Sequence, residues 1–245
     1  FMERTYFCAR KKSPTMIDRW QYSQLGKMVI STILLLLLNI VAALDVQGKW
    51  VDRVEKRPLS SKIEKLKNGD LLFYAQDNGN AITDVTQGFD CLAIDHVAIV
   101  HRTTKKLSTI EAISRGVVRL PIDSTLNRKR DGLHVYVGRI CGSFDKKQSI
   151  IKALSYLNRP YDFYFEPTDS AIYCSELVQL SYIDEDGKSI FHTIPMSFHD
   201  RKGQITDYWK NFYSKAFKKV PEGKHGTNPG DISRNKRVKI IFQLF

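Results

Sequence analysis

The stretch Ala171-Ile-Tyr-Cys174-Ser-Glu-Leu-Val-Gln-Leu180 sets a cysteine where a loop turns into a helix, with Leu177, Val178 and Ser181 along one side. A thiol is a useful nucleophile only as thiolate. A helix N-terminus beside an imidazolium lowers a thiol pKa from about 8.5 to about 3.5–7.5. The imidazole is offered far upstream by Asp95-His96-Val-Ala-Ile-Val100, a run that reads as strand. Cys174 and His96 together read as a Cys–His hydrolytic pair built on a helix packed against a sheet.

Working outward, Ser60 to Lys67 reads as a short helix ending at Asn68-Gly69, and Leu71 to Tyr74 as a buried strand. His96 to His101 and Leu107 to Ile113 read as two strands joined near Lys105-Lys106, followed by strands over Val117–Leu120 and Leu133–Val137. Asp145 to Leu157 is the clearest helix. Asp145 and Gln148 suit a capping box, Ile150, Ile151, Leu154 and Leu157 make an apolar face, and Pro160 stops it. Ile205 to Phe217 repeats aromatic residues at helical spacing, a pattern of core packing, and Arg237 to Leu244 closes the chain as a strand. The order predicts an α+β domain with an antiparallel sheet packed against helices.

A third residue follows from pairing. A turn centred on Thr103-Thr104 puts Glu111 opposite His96 on one face of the sheet, where a carboxylate orients the imidazole and fixes its tautomer. His101 lies five positions along the same strand, hence on the other face. Tyr173, Tyr161 and Asp162 approach the nucleophile in sequence and are the candidate substrate-pocket residues, and the backbone N–H of Cys174 is a natural oxyanion donor. His134, His192, His199 and His225 have no partner legible from the sequence.

The chain carries 245 residues, 42% of them hydrophobic, enough for one well-buried domain and too apolar for a disordered chain. Its formal charge is +12; six basic and two acidic residues precede residue 44, which leaves +8 on the remainder. A basic surface favours anionic partners. The basic residues are dispersed and not interleaved with aromatics, so no nucleic acid partner is expected. Neither CxxC nor HExxH is present, and no metal or organic cofactor is expected.

Met28-Val-Ile-Ser-Thr-Ile-Leu-Leu-Leu-Leu-Leu-Asn-Ile-Val-Ala-Ala43 is apolar, follows Lys27 and ends in small residues. Residues 28–43 therefore read as a signal peptide cut near Leu44 or, left uncut, as a signal anchor giving membrane association through residues 28–44. The expected location is the periplasm or cell envelope. Residues 1–27 form an extension of uncertain meaning, with Met16 and Met28 as alternative starts, 44–57 a linker, and 58–245 the folded domain. Removal of Cys8 with the leader leaves Cys91, Cys141 and Cys174, an odd number for an exported chain. A Cys91–Cys141 disulfide and two buried free thiols are both open readings.

Several runs resemble the permuted NlpC-like, papain-fold cysteine hydrolases of the YiiX/YebB type. They are Leu66-Lys-Asn-Gly69-Asp70-Leu-Leu-Phe73, Asp95 to Val100, Ile110-Glu111-Ala112, Arg159-Pro-Tyr-Asp162 and Tyr173 to Val178. Ile194 to Phe198, Asp207-Tyr-Trp209 and Gly226-Thr-Asn-Pro-Gly-Asp231 extend the likeness over most of residues 58–240. The histidine precedes the cysteine, as in the permuted relatives, and Ala98 stands where they often carry Gly. The resemblance implies a circularly permuted papain-like fold with Cys174 as nucleophile, His96 as base and Glu111 as third residue. The expected function is cleavage of an amide bond in a peptide or cell-wall-derived peptide. A lipid acyltransferase or (thio)esterase on the same fold is the first alternative, and a catalytically silent envelope-binding module the second.

Overall fold

In this computed structural model the described residues are 59–166 and 170–245. The expectations for residues 1–57, including Cys8, the apolar run and the linker, lie outside them. Helix α1 (Leu59–Glu64) leads into strand β1 (Leu71–Gln76). Strands β2 (Ile94–Arg102), β3 (Leu107–Ile113) and β4 (Gly116–Pro121) follow as consecutive hairpins. After a short helix α2 (Ile122–Leu126) come β5 (Leu133–Ile140) and helices α3 (Lys146–Ser155) and α4 (Cys174–Ser181). The chain then runs through β6 (Ile194–Pro195), α5 (Asp207–Lys215), β7 (His225–Gly226), α6 (Pro229–Arg234) and β8 (Val238–Gln243).

Six strands form one antiparallel sheet in the order β4-β3-β2-β1-β5-β8, and β6 pairs only with β7. Alternation sorts the sheet residues onto two faces. Leu71, Phe73, Val97, Ile99, Ile110 and Ala112 pack with Ile150 and Ala153 of α3 and with Cys174, Leu177 and Val178 of α4. Leu72, Tyr74, Ala98, Val100, Val135 and Val137 build a second layer with Ile122 of α2. A third cluster gathers Phe198 with Trp209 and Tyr213 of α5. Of the aromatic stripe read as core, Trp209 and Tyr213 at i, i+4 are buried here, whereas Tyr208 is 55% exposed because it lies about 100° round the helix from Trp209.

Local chemistry sets the helix starts. Asp145 caps α3 by accepting from the Gln148 N–H at 2.9 Å, and Thr206 caps α5 by accepting from Trp209 N–H. The apolar face of α3 departs from expectation at Ile151, which is 46% exposed, because it lies about 100° round the helix from buried Ile150. The described residues contain no helix long and apolar enough to cross a membrane.

Candidate active site

Cys174 is the first residue of α4 and only 5% exposed. The Tyr173 N–H donates to Glu176 Oε2 at 3.3 Å, half of a capping box that fixes where the helix begins. The Tyr173 hydroxyl accepts from the Thr227 N–H at 3.0 Å, tying that start to the loop ahead of α6.

His96 stands beside a bulge in β2. Tyr74 pairs with His96 and Ala75 with Ile94, which leaves Asp95 as the extra residue. His96 Nε2 lies 2.8 Å from Glu111 Oε2, and the ring also interacts with the Cys174 side chain. The Tyr74 ring packs against the imidazole with centroids 5.1 Å apart. Burial alone would push the His96 pKa down. The hydrogen bonds to Cys174 and Glu111, with their charges, outweigh it and hold the pKa at about 10, so the ring is an imidazolium at neutral pH.

Glu111 is fully buried, and both of its oxygens are occupied. Arg128 forks onto the carboxylate, Nη1 to Oε2 at 2.8 Å and Nη2 to Oε1 at 3.0 Å, and the Thr109 hydroxyl donates to Oε1 at 3.0 Å. Burial raises the Glu111 pKa, but the bonds from His96 and Arg128 prevail and bring it to about 2. Arg128 itself is 28% exposed and lies 5.7 Å from the Tyr74 ring centroid. Neither Arg128 nor Tyr74 was legible as part of the site. Arg128 follows a short helix in a loop with no periodicity, and Tyr74 reads as an ordinary buried strand residue.

The pairing that brings Glu111 to His96 differs from the expected one by two residues. Ile99 pairs with Ile110 and Arg102 with Leu107; this register continued sets Glu111 opposite Ala98 and diagonal to His96. The turn spans Thr103 to Lys106, closed by Thr103 N–H to Lys106 O at 2.9 Å, so its centre falls one residue later than expected. A shift of two keeps side-chain parity, and the diagonal neighbours still meet.

Tyr161 and Tyr173 line the cavity that opens onto Cys174. Burial, then the neighbouring Cys174, keeps the Tyr161 phenol well above its usual pKa. Asp162 is not among the lining residues; it is buried and its Oδ1 accepts from the Tyr164 N–H at 2.8 Å, shaping the loop. His134 pairs with Asp77 at 2.9 Å and His199 with Glu222 at 3.1 Å, partners the sequence did not disclose. Cys141 is a free, exposed thiol, so the Cys91–Cys141 bridge is not formed.

The two shifts define a pH window for stability. His96, raised from 6.5 to about 10, contributes fully below its unfolded value and loses that contribution as pH climbs through 10. Glu111, lowered from 4.5 to about 2, contributes above its unfolded value and loses it as pH falls through 2. The destabilisation caused by Glu111→Gln, followed by urea unfolding, is therefore expected to be largest between about pH 4.5 and 6.5 and to shrink toward both extremes. A pH-independent loss would contradict the ionised pair.

A family model matches most of the chain. Residues 65–242 match that of the permuted papain-like amidase enzymes, the YaeF/YiiX or C92 family. The chain belongs to that family. Its members are papain-like cysteine peptidases and amidases, so this chain is a cysteine hydrolase at family level, with the permuted papain-like α+β fold. The crystal structure of the metalloprotein YiiX from Escherichia coli O157:H7 shares the fold, with a TM-score of 0.59 and 20% identity over 72% of this chain and 97% of that one. Among curated proteins none matches.

Proposed function

We propose that the protein hydrolyses an amide bond in a peptide or cell-wall-derived peptide, with Cys174 as nucleophile, His96 as acid and base, and Glu111 as the residue that holds His96. The observation that carries this reading is His96 held by Glu111 at 2.8 Å while it interacts with a cysteine at the first position of a helix. An imidazolium beside the sulfur favours the thiolate, which attacks the scissile carbonyl carbon. The helix-start N–H of Cys174 is suited to meet the developing oxyanion. The imidazolium protonates the departing amine as the thioester forms; the neutral ring then takes a proton from water, which attacks the thioester and releases the acid and the thiolate. Arg128 serves as a positioning residue by keeping Glu111 ionised and fixed.

The YiiX structure is titled a metalloprotein, but among the described residues of this chain no three or more His, Cys, Asp or Glu side chains gather where they could hold a metal ion. The described residues offer no such centre, and no step is routed through one. The apolar wall beside Cys174 favours one second reading, a lipid acyltransferase or (thio)esterase using the same Cys–His chemistry. Export, as periplasmic protein or anchored in the membrane, completes the proposal.

Profiling of envelope peptides tests it. Extracts treated with the wild type should lose an amide-linked substrate that extracts treated with Cys174→Ala retain, and protein from its native host should begin near Leu44 or, uncut, fractionate with membranes. Turnover of acyl lipids but not peptides would move the assignment to the second reading. An intact chain recovered from the cytosol would remove the export.

A further inference from the structure

We propose that the cavity beside Cys174 is a binding subsite for an apolar group, aliphatic chain or aromatic ring, carried next to the scissile bond; this rests on Cys174 being the nucleophile. The cavity has a volume of about 60 Å³, is open to solvent on one side, and opens directly onto Cys174. Ile82, Val85, Phe165, Met196, Phe198 and Trp209 supply its apolar wall. That wall belongs to the third hydrophobic cluster, so ring edges hold it in place. Trp209 packs 5.2 Å from Phe198 and 5.9 Å from Phe165, each nearly perpendicular.

Several polar groups in the lining already have partners within the protein. The Trp209 Nε1–H donates to Ala81 O at 3.0 Å, so the indole has no free donor for a ligand. The Thr227 hydroxyl donates to Ser175 Oγ at 3.1 Å, and the Tyr173 hydroxyl accepts from Thr227 N–H. Among the described residues no Lys, Arg or His lines the cavity, and the carboxylate among them, Asp95, is bound by the side-chain amides of Gln76 and Asn80. An acidic peptide would find no cation here and would meet Asp95. An apolar group makes no demand on the polar groups already paired there and gains from leaving water. Within the peptide reading this selects an aliphatic or aromatic residue beside the bond, and within the acyl reading a fatty chain.

Cys174 itself reports on the cavity. The full chain is treated with N-alkylmaleimides from methyl to heptyl and with N-benzylmaleimide, and adducts at Cys174 and at exposed Cys141 are followed by peptide mass spectrometry. Each methylene entering an apolar site is worth up to about fourfold in rate. N-heptylmaleimide should therefore outrun N-methylmaleimide at Cys174 by about tenfold or more, while at Cys141 the two stay within about twofold. Val85→Asp should flatten the series at Cys174. A benzyl reagent faster than heptyl marks an aromatic residue as the natural group, and the reverse marks a chain. Rates at Cys174 that are flat or fall with length, with N-methylmaleimide still preferring Cys174 over Cys141, overturn the subsite and leave the nucleophile standing. A Cys174 no faster than Cys141 with every reagent overturns both.

Discussion

His96→Ala is expected to reduce hydrolysis by about 10²–10⁴-fold, nearly to the level of Cys174→Ala, when initial rates on an amide substrate are compared. In the proposed mechanism the variant removes the group that protonates the leaving amine and then activates water, so both half-reactions lose their proton carrier. It also removes the cation that interacts with Cys174. The pH profile should carry the same signature. Because His96 is held at about 10, the alkaline limb of kcat/KM in the wild type should lie near pH 10, where the imidazolium is lost, and should be missing from the residual activity of His96→Ala. An alkaline limb near the ordinary imidazole value would mean that the hydrogen bonds to Glu111 and Cys174 do not hold the ring charged.

The second large effect belongs to Arg128 and is asymmetric. Arg128→Ala leaves a carboxylate with no exposure and without its two guanidinium bonds, so unfolding in urea should show a loss of about 3–5 kcal/mol. Glu111→Ala should cost less, because the stranded Arg128 reaches solvent whereas a stranded Glu111 does not. Adding Glu111→Gln to Arg128→Ala should then restore part of the stability by removing the buried charge, a coupling that additive effects cannot produce. Activity should follow a different order. Glu111→Gln keeps an oxygen to accept from His96 and should lose less turnover than Glu111→Ala. Arg128→Ala that matched wild type in both stability and pH profile would leave the guanidinium as mere surface.

What could be read in advance follows from how local each signal is. Cys174 was legible because a helix start is written in a few consecutive residues. Glu111 was legible despite a misplaced turn, since an error of two residues preserves the face of the sheet, whereas an error of one would have sent it to the other side. The bulge at Asp95 left no mark, because bulges depend on the partner strand. Helix α6 begins Pro229-Gly-Asp, which reads as a turn until Asn228 is seen accepting from the Asp231 N–H at 2.8 Å. Trp209 was read correctly as core, whereas Phe198 was not singled out as a packing residue. Their role as one wall of the cavity at Cys174 arises only when β6 and α5 are folded back against the loop of residues 161–165. Arg128 was hidden for the same reason, its partner lying on a strand two elements away.

In the proposed mechanism Cys174 forms the covalent intermediate and His96 carries the protons. Rapid mixing with p-nitrophenyl acetate, followed by intact-mass and peptide analysis, puts both roles to the test. A burst of nitrophenolate is expected with one acetyl group per chain on Cys174, slowed strongly in His96→Ala and gone in Cys174→Ala. A burst that survives Cys174→Ala, or an acetyl group found on Cys141 and not on Cys174, would contradict that mechanism.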